Sequence, residues 1–253
     1  RSSDLDKEKY LEILDYLSKH KNADISDLEY IEDKDITTFI FRNNSFYEAN
    51  NSKFRKIVKF DLLESLEKLS KKIEFTSIVE LGCGYGSKLI EVINSNIFNK
   101  NIEFYGIDIS DNALEIIKLL KISSASKINL IKHDFRKDLY NKLKIGKKQI
   151  IYSCYCLHYW KTFSISDIEN FIYNGAQGGV HIEPCSDYFY KIKNTQYRDL
   201  CKKYMIWNDY TQNIASAFIN AKNKGLISLE ILERIQGNGM LPGWIIRWSS
   251  IQK

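Results

Sequence analysis

No stretch of this 253-residue chain approaches the ~18 consecutive apolar residues of a membrane span, and its start, Arg1-Ser2-Ser3-Asp4-Leu5-Asp6, has no signal-peptide core. A membrane span and a secretory leader are therefore not expected, and a cytoplasmic location is. The five cysteines, Cys83, Cys154, Cys156, Cys185 and Cys201, are odd in number and contain no CxxC pair. That pattern argues against a disulfide framework and against a thiolate zinc site. Four scattered histidines form neither HxH nor HExxH, so no metal site is expected. Internal repeats and low-complexity tracts are missing too. The first residue is Arg rather than Met, which points to a trimmed chain or a piece of a longer polypeptide.

What is present is an ordinary globular composition, 44% hydrophobic and 27% charged, which excludes disorder. The length allows one large core plus an appendage. The net charge of +5 is spread along the chain, with local clusters at Lys53, Arg55, Lys56 and Lys59 and at Lys142, Lys144, Lys147 and Lys148. These read first as solvated faces; an anionic substrate or nucleic acid is the alternative. No recognisable RNA-binding module accompanies them, so nucleic acid is not the expected partner. Oligomeric state is not legible.

Apolar residues repeat at helical spacing over 5–20 (Tyr10, Leu11, Leu14, Tyr16, Leu17) and 54–71 (Phe54, Ile57, Val58, Leu62, Leu63, Leu66, Leu69), with a short β-branched and aromatic strand at 36–41 between them. Residues 1–72 thus form an N-terminal helical extension or lid. From residue 73 the pattern alternates: strands at 77–81, 102–108, 128–131, 149–153 and 180–183, with helices at 87–93 and 112–121. Strands separated by helical stretches imply right-handed crossovers and a doubly wound parallel α/β sheet. A helical, aromatic segment follows at about 186–225. Strands at 227–235 and 244–250 then close the chain, near enough to pair as an antiparallel sheet edge.

Glu80-Leu81-Gly82-Cys83-Gly84-Tyr85-Gly86 lies between a strand and a helix, at the carboxyl edge of the sheet where such folds bind ligands, and Asp108 ends the next strand. Glycines permit a tight turn and close approach of a ligand; an acid at a strand end can accept from both hydroxyls of a ribose. The glycines fall as GxGxG, not as the GxGxxG of nicotinamide dinucleotide folds. This motif resembles the first motif of class I S-adenosylmethionine-dependent methyltransferases, and the resemblance extends from residue 77 to about 179. It implies a Rossmann-like sheet of seven mostly parallel strands and S-adenosylmethionine as cofactor. The loop Gly82, Cys83, Gly84 and Gly86 would cradle it, with Glu80 on its amino group, Asp108 on the ribose and Ile109 along the adenine. His133-Asp134-Phe135 looks like the family's third motif, which implies Asp134 on the adenine amino group and Phe135 against the ring. Ser153-Cys154-Tyr155 would sit beside the methionine portion.

Leu157-His158-Tyr159 is similar to a segment common among small-molecule methyltransferases, and no Asn-Pro-Pro-Tyr run of the kind used on bases and amides is present. His158 is a candidate general base, because an attacking alcohol must lose its proton and histidine titrates near neutral pH; a purely structural histidine is the alternative. His181 and Glu183 are two apart on one strand and share a face, so they are further catalytic candidates, against a buried hydrogen-bonded carboxylate. Tyr155, Tyr159, Asn208, Asp209 and Tyr210 mix aromatic faces with polar groups, as a sugar acceptor would require; helix core and caps are the bland reading. Tyr47-Glu48 and Arg55 are candidates for a lid. The expected activity is O-methylation of a saccharide or other hydroxylated small molecule. An RNA methyltransferase and a non-catalytic cofactor-binding module are the alternatives.

Overall fold

Strand β3 (Ser77–Leu81) is buried at every position because it runs through the middle of a seven-stranded sheet with apolar layers on both faces. Val79 and Leu81 join one core with Ile107, Ile151, Ile246 and Trp248. Ile78 joins the other with Leu62, Leu66, Phe104, Ile150 and Val180. The computed structural model describes residues 2–33, 37–42, 45–99, 101–120, 122, 127–135, 140, 143, 145, 146, 148–232 and 240–251.

The sheet has the order β5-β4-β3-β6-β7-β9-β8. Its strands are β4 (Glu103–Asp108), β5 (Ile128–Lys132), β6 (Gln149–Cys154), β7 (Ala176–Pro184), β8 (Ile227–Leu232) and β9 (Gly243–Ser250). The first five in that order run parallel, and β9 is antiparallel to both β7 and β8. The expected doubly wound sheet with an antiparallel edge is therefore what forms. Chain order reverses direction across the sheet between β3 and β6, and ligands of open α/β sheets bind at the strand ends beside such a reversal.

Helices cover both faces. α3 (Asn51–Ser70) lays Val58, Leu62, Leu66 and Leu69 into the same core as β7 and β9. α4 (Ser87–Asn94) and α5 (Asp111–Leu119) bury Leu89, Val92, Ile93, Ile116 and Ile117. The Ser110 hydroxyl caps α5 by accepting from the Ala113 N–H at 3.3 Å. The opposite face carries α6 (Ile165–Tyr173), started by a Ser164–Asp167 capping box, with α7 (Thr195–Trp207) and α8 (Ile214–Asn223). At the N-terminus α1 (Ser2–Lys19) packs on α5, and Ile13, Leu17 and Leu28 share a small core with Tyr85, Ile90 and Ile116.

Two elements go beyond the sequence pattern. α2 (Ile25–Asp33) was not marked by it, and β2 (Ser45–Asn50) pairs with β1 (Thr37–Arg42) from Thr37↔Asn50 to Arg42↔Ser45. The N-terminal region is therefore helical with a hairpin set into it. β7 starts at Ala176, four residues ahead of the expected start, because Gly178 and Gly179 read as breakers but have a packing role. A Cβ on Gly178 would lie 2.6 Å from the Trp248 carbonyl oxygen, and one on Gly179 2.7 Å from the Trp248 indole nitrogen. Residues 233–239, Lys142, Lys144 and Lys147 lie outside the described residues, as do the side chains of Tyr47, Glu48, Lys53, Arg55 and Lys56. Of the remaining basic positions, Lys59 pairs with Glu91, and Lys148 with Glu74 at 2.8 Å. Among the described residues no helix is long and apolar enough to cross a membrane.

Candidate active site

Beyond Leu81 the chain turns back over β4, with the Cys83 N–H donating to the Ile107 carbonyl at 2.9 Å. Gly82 (φ +66°) and Gly86 (φ +84°) hold left-handed conformations that only glycine adopts without strain, and both are crowded. A Cβ on Gly82 would lie 2.3 Å from Cys156 Sγ, and one on Gly86 2.8 Å from Ile117 Cγ1. Gly84 differs. The nearest atom to a Cβ there is the Tyr10 hydroxyl at 3.5 Å, an ordinary contact, so this face of the turn is uncrowded and covered by α1.

The Asp108 carboxylate accepts from the Gly84 N–H through Oδ2 and from the Ser110 N–H through Oδ1, each at 2.8 Å. Each oxygen keeps a lone pair for a further donor. Burial raises its pKa, and those backbone N–H groups oppose the rise. Ile109, the next residue, is 44% exposed, a large apolar side chain left at the strand end. Glu80 is buried, and its Oε2 accepts from the Tyr152 hydroxyl at 3.1 Å across the β3–β6 pair. Burial pushes the Glu80 carboxyl up to about 8, against the pull of Tyr152 and Lys88 and with a further push from Asp108. Phe135 is half-buried and stacked against Trp160 at 4.8 Å, with His133 edge-on at 4.7 Å. Asp134 beside it is half-buried and engaged in contacts of its own.

The second half of the site is a polar network on the adjoining strand ends. Ser153 and His181 are direct partners in the β6–β7 register, and Glu183 lies two residues further on the same face. Glu183 Oε1 accepts from the Ser153 hydroxyl (2.7 Å), the Cys156 N–H (2.9 Å) and the Leu157 N–H (3.0 Å); Oε2 accepts from His158 Nδ1 (3.2 Å). The backbone donors open the short 3-10 turn Leu157–Tyr159, whose first N–H groups would otherwise be unpaired. Burial alone would raise the Glu183 carboxyl; His158, Leu157 and Ser153 outweigh it and hold the group below its ordinary value.

His158 is 1% exposed, and its Nε2 is buried without a hydrogen-bond partner among the described residues. The ring is walled by Tyr159 at 4.1 Å, Tyr210 at 4.8 Å and Tyr155 at 6.2 Å. Tyr155 sits at φ +54°, a rare conformation for a bulky residue, held by its N–H on the Ile182 carbonyl at 2.9 Å. Tyr210 is brought in because the Thr211 N–H donates to the His158 carbonyl at 2.9 Å. Asn208 and Asp209 instead finish α7: the Asn208 side-chain amide donates to the Tyr204 carbonyl at 2.8 Å, Asp209 adopts φ +53°, and both are exposed. His181 is fully buried, with Nδ1 on the Ser153 hydroxyl at 2.9 Å and Nε2 accepting from the Trp248 indole at 3.1 Å. Burial pushes its pKa down to about 4 despite the nearby Glu183.

One cluster therefore gathers Ser153, Tyr155, His158, Tyr159, His181, Glu183 and Tyr210, and Cys156 joins it to the glycine turn by its contact with Gly82. Sequence reasoning missed Trp248, Tyr152, Tyr10 and Cys156. Tyr152 was accessible in principle, since it pairs with Glu80 once β3 and β6 are placed side by side. The thiols of Cys83, Cys154 and Cys156 are raised by burial, which keeps them protonated rather than nucleophilic. All five cysteines are free.

No protein-family model matches the chain. A curated relative, the tRNA N(3)-methylcytidine methyltransferase trm140 of Schizosaccharomyces pombe, is 30% identical over 78 residues, which is 30% of this chain. The chain spans 25% of that relative's length. Among solved structures, the plantazolicin methyltransferase BpumL in complex with a triazolic analogue and SAH superposes with TM-score 0.54 at 14% identity, covering 99% of both chains. Magnesium protoporphyrin IX methyltransferase (ChlM) from Synechocystis PCC 6803 with bound SAM gives TM-score 0.52 at 10% identity, over 78% of this chain and 80% of that one. The small RNA methyltransferase HEN1 gives 0.52 at 11% identity, over 77% and 25%. Strand order, the turn after β3 and these superpositions together show that the fold of this chain is that of the Rossmann-like methyltransferases.

Proposed function

We propose that the chain is an S-adenosylmethionine-dependent methyltransferase acting on a hydroxyl of a small molecule, saccharides first among them, with His158 as general base. The observation that carries this reading is the His158 ring: Nδ1 is fixed on an ionised Glu183 while Nε2 is left unpartnered, two residues from the thiol that touches the glycine turn. The residues present suit the cofactor. Gly84, with only the Tyr10 hydroxyl near it, suits close approach of a ligand, Asp108 retains acceptor capacity for ribose hydroxyls, and Ile109 offers an apolar face for adenine with Asp134 and Phe135 beyond it. Gly82, Cys83 and Gly86 shape the turn, Glu80 supplies a carboxyl for the amino group, and Ser153 shares the methionine side.

When bound, S-adenosylmethionine supplies a methyl group on a sulfonium centre that leaves with the carbon–sulfur electron pair. His158 Nε2 takes the proton of the acceptor hydroxyl, and Glu183, already ionised, steadies the imidazolium that results. Four donors on Glu183 keep it from competing for that proton. Tyr155, Tyr159 and Tyr210 orient the acceptor and keep water from Nε2, so alignment contributes alongside proton transfer. His181 serves by holding Ser153. Asn208 and Asp209, exposed beside Tyr210, suit the hydroxyls of a polyol. Five free thiols suit a reducing compartment such as the cytoplasm.

The similarity to a tRNA methyltransferase favours a second reading, an RNA acceptor. Calorimetry with S-adenosylmethionine and S-adenosylhomocysteine, followed by labelled-methyl transfer to nucleotide sugars, oligosaccharides, small phenols and RNA, separates the two. Binding of both cofactor forms and label on a hydroxylated small molecule are expected. Label on RNA that survives moderate salt would put the second reading first, and a folded chain that binds neither cofactor form would remove both.

A further inference from the structure

The polar network behind Glu183 has a single consistent direction. An indole N–H can only donate, so the Trp248 contact at 3.1 Å leaves His181 Nε2 as an acceptor and the ring proton on Nδ1. That Nδ1–H donates to the Ser153 oxygen at 2.9 Å, and the one hydroxyl proton of Ser153 is then used on Glu183 Oε1 at 2.7 Å. Nothing in the chain is left to choose between two orientations. Its root is steric: Gly179 lies opposite Trp248 in the β7–β9 register, and its missing side chain is what admits the indole nitrogen. All of Ser153, His181, Glu183 and Trp248 are at most 1% exposed, so water does not compete for these bonds.

We propose that Trp248, His181 and Ser153 form a one-way hydrogen-bond chain that, added to the Cys156 and Leu157 N–H groups, completes the fixing of the Glu183 carboxylate and so holds His158 in the Nδ1–H tautomer, with Nε2 bare. They are positioning residues: none needs to touch the acceptor. A neutral imidazole has one proton, and a carboxylate turned out of line would cease to select which nitrogen carries it. The link to catalysis rests on His158 being the base; the link to tautomer does not.

The test uses the full chain labelled with 15N-histidine, with long-range 1H–15N correlations reporting the tautomer of His158 and His181. The parent shows Nδ1–H on both rings. Ser153→Ala and His181→Leu bring up the Nε2–H form of His158, and Trp248→Phe, which keeps the ring but not the donor, does so to a smaller extent. His181→Asn, whose amide N–H can stand in for Nδ1–H, restores the parental tautomer. On an acceptor found by the labelled-methyl panel, His181→Leu lowers kcat by about 10–100-fold and leaves cofactor affinity within about 2-fold. An unchanged His158 tautomer in cooperatively folding Ser153→Ala and Trp248→Phe overturns the proposal. A shifted tautomer with parental kcat upholds the chain of bonds and removes His158 as base.

Discussion

Glu80 on β3 and Glu183 on β7 lie either side of β6, both buried, and their carboxyls are shifted in opposite directions. Glu80 meets the Tyr152 hydroxyl and the Leu89 N–H, and burial still carries its carboxyl up to about 8. Glu183 meets four donors, and burial is overcome. At equal depth, the donors and charges around each carboxyl set the direction of its shift. Glu183 thus carries a charge built into the protein, whereas Glu80 is held towards its neutral form, and a cation placed beside it would draw it towards ionisation.

The strongest way to break this contrast is to remove the charge from Glu183. Glu183→Gln keeps one acceptor oxygen but presents an amide where His158 needs a carboxylate. Methyl transfer should fall about 10²–10⁴-fold with cofactor affinity nearly parental. Turnover measured beside calorimetry decides it, and parental turnover in a folded variant ends the role given to His158.

Next in size is the pH response set by Glu80. Its folded value of about 8 lies above the ordinary 4.5, so folding takes up a proton between those values. The associated stability is complete below pH 4.5 and is lost as pH rises through about 8, on the order of 5 kcal/mol at full shift. Glu80→Gln, neutral at every pH, should melt with a flatter dependence across that window. Urea midpoints of parent and variant taken from pH 5 to pH 9 (roughly the window over which the shift acts) should diverge with rising pH; parallel curves would mean that Glu80 is ionised throughout.

The smallest effect concerns Asp108, whose two oxygens already accept from Gly84 and Ser110. Asp108→Ala should weaken S-adenosylhomocysteine by roughly 1.5–3 kcal/mol, the scale of hydrogen bonds to a charged group. Unchanged affinity by calorimetry would place the ribose elsewhere.

The central strands were legible because burial on both faces makes them short, continuous apolar runs, and the turn because three glycines follow one of them. β2 and α2 were not: Ser45-Phe46-Tyr47-Glu48-Ala49-Asn50 has no clear alternation, and among the described residues β2 pairs only with β1. For the candidate site, which residues stand at strand ends was legible, but not what they touch. His158 and Glu183 are 25 residues apart and meet only because a 3-10 turn follows β6 beside β7. Trp248 gave no signal at all, since its partner depends on the β7–β9 register and on the space over Gly179.

The contact between Gly82 and Cys156 has a consequence for how these positions can vary. Cys156 fills the volume that any side chain at 82 would need, so residue size at one position is a function of the other. A bulkier residue at 156 would press on the turn, although residue 156 gives the network only a backbone N–H. In a set of natural variants the two sites should drift together or stay fixed, a covariation that arises from packing and links two halves of the chain separated by three strands' worth of sequence.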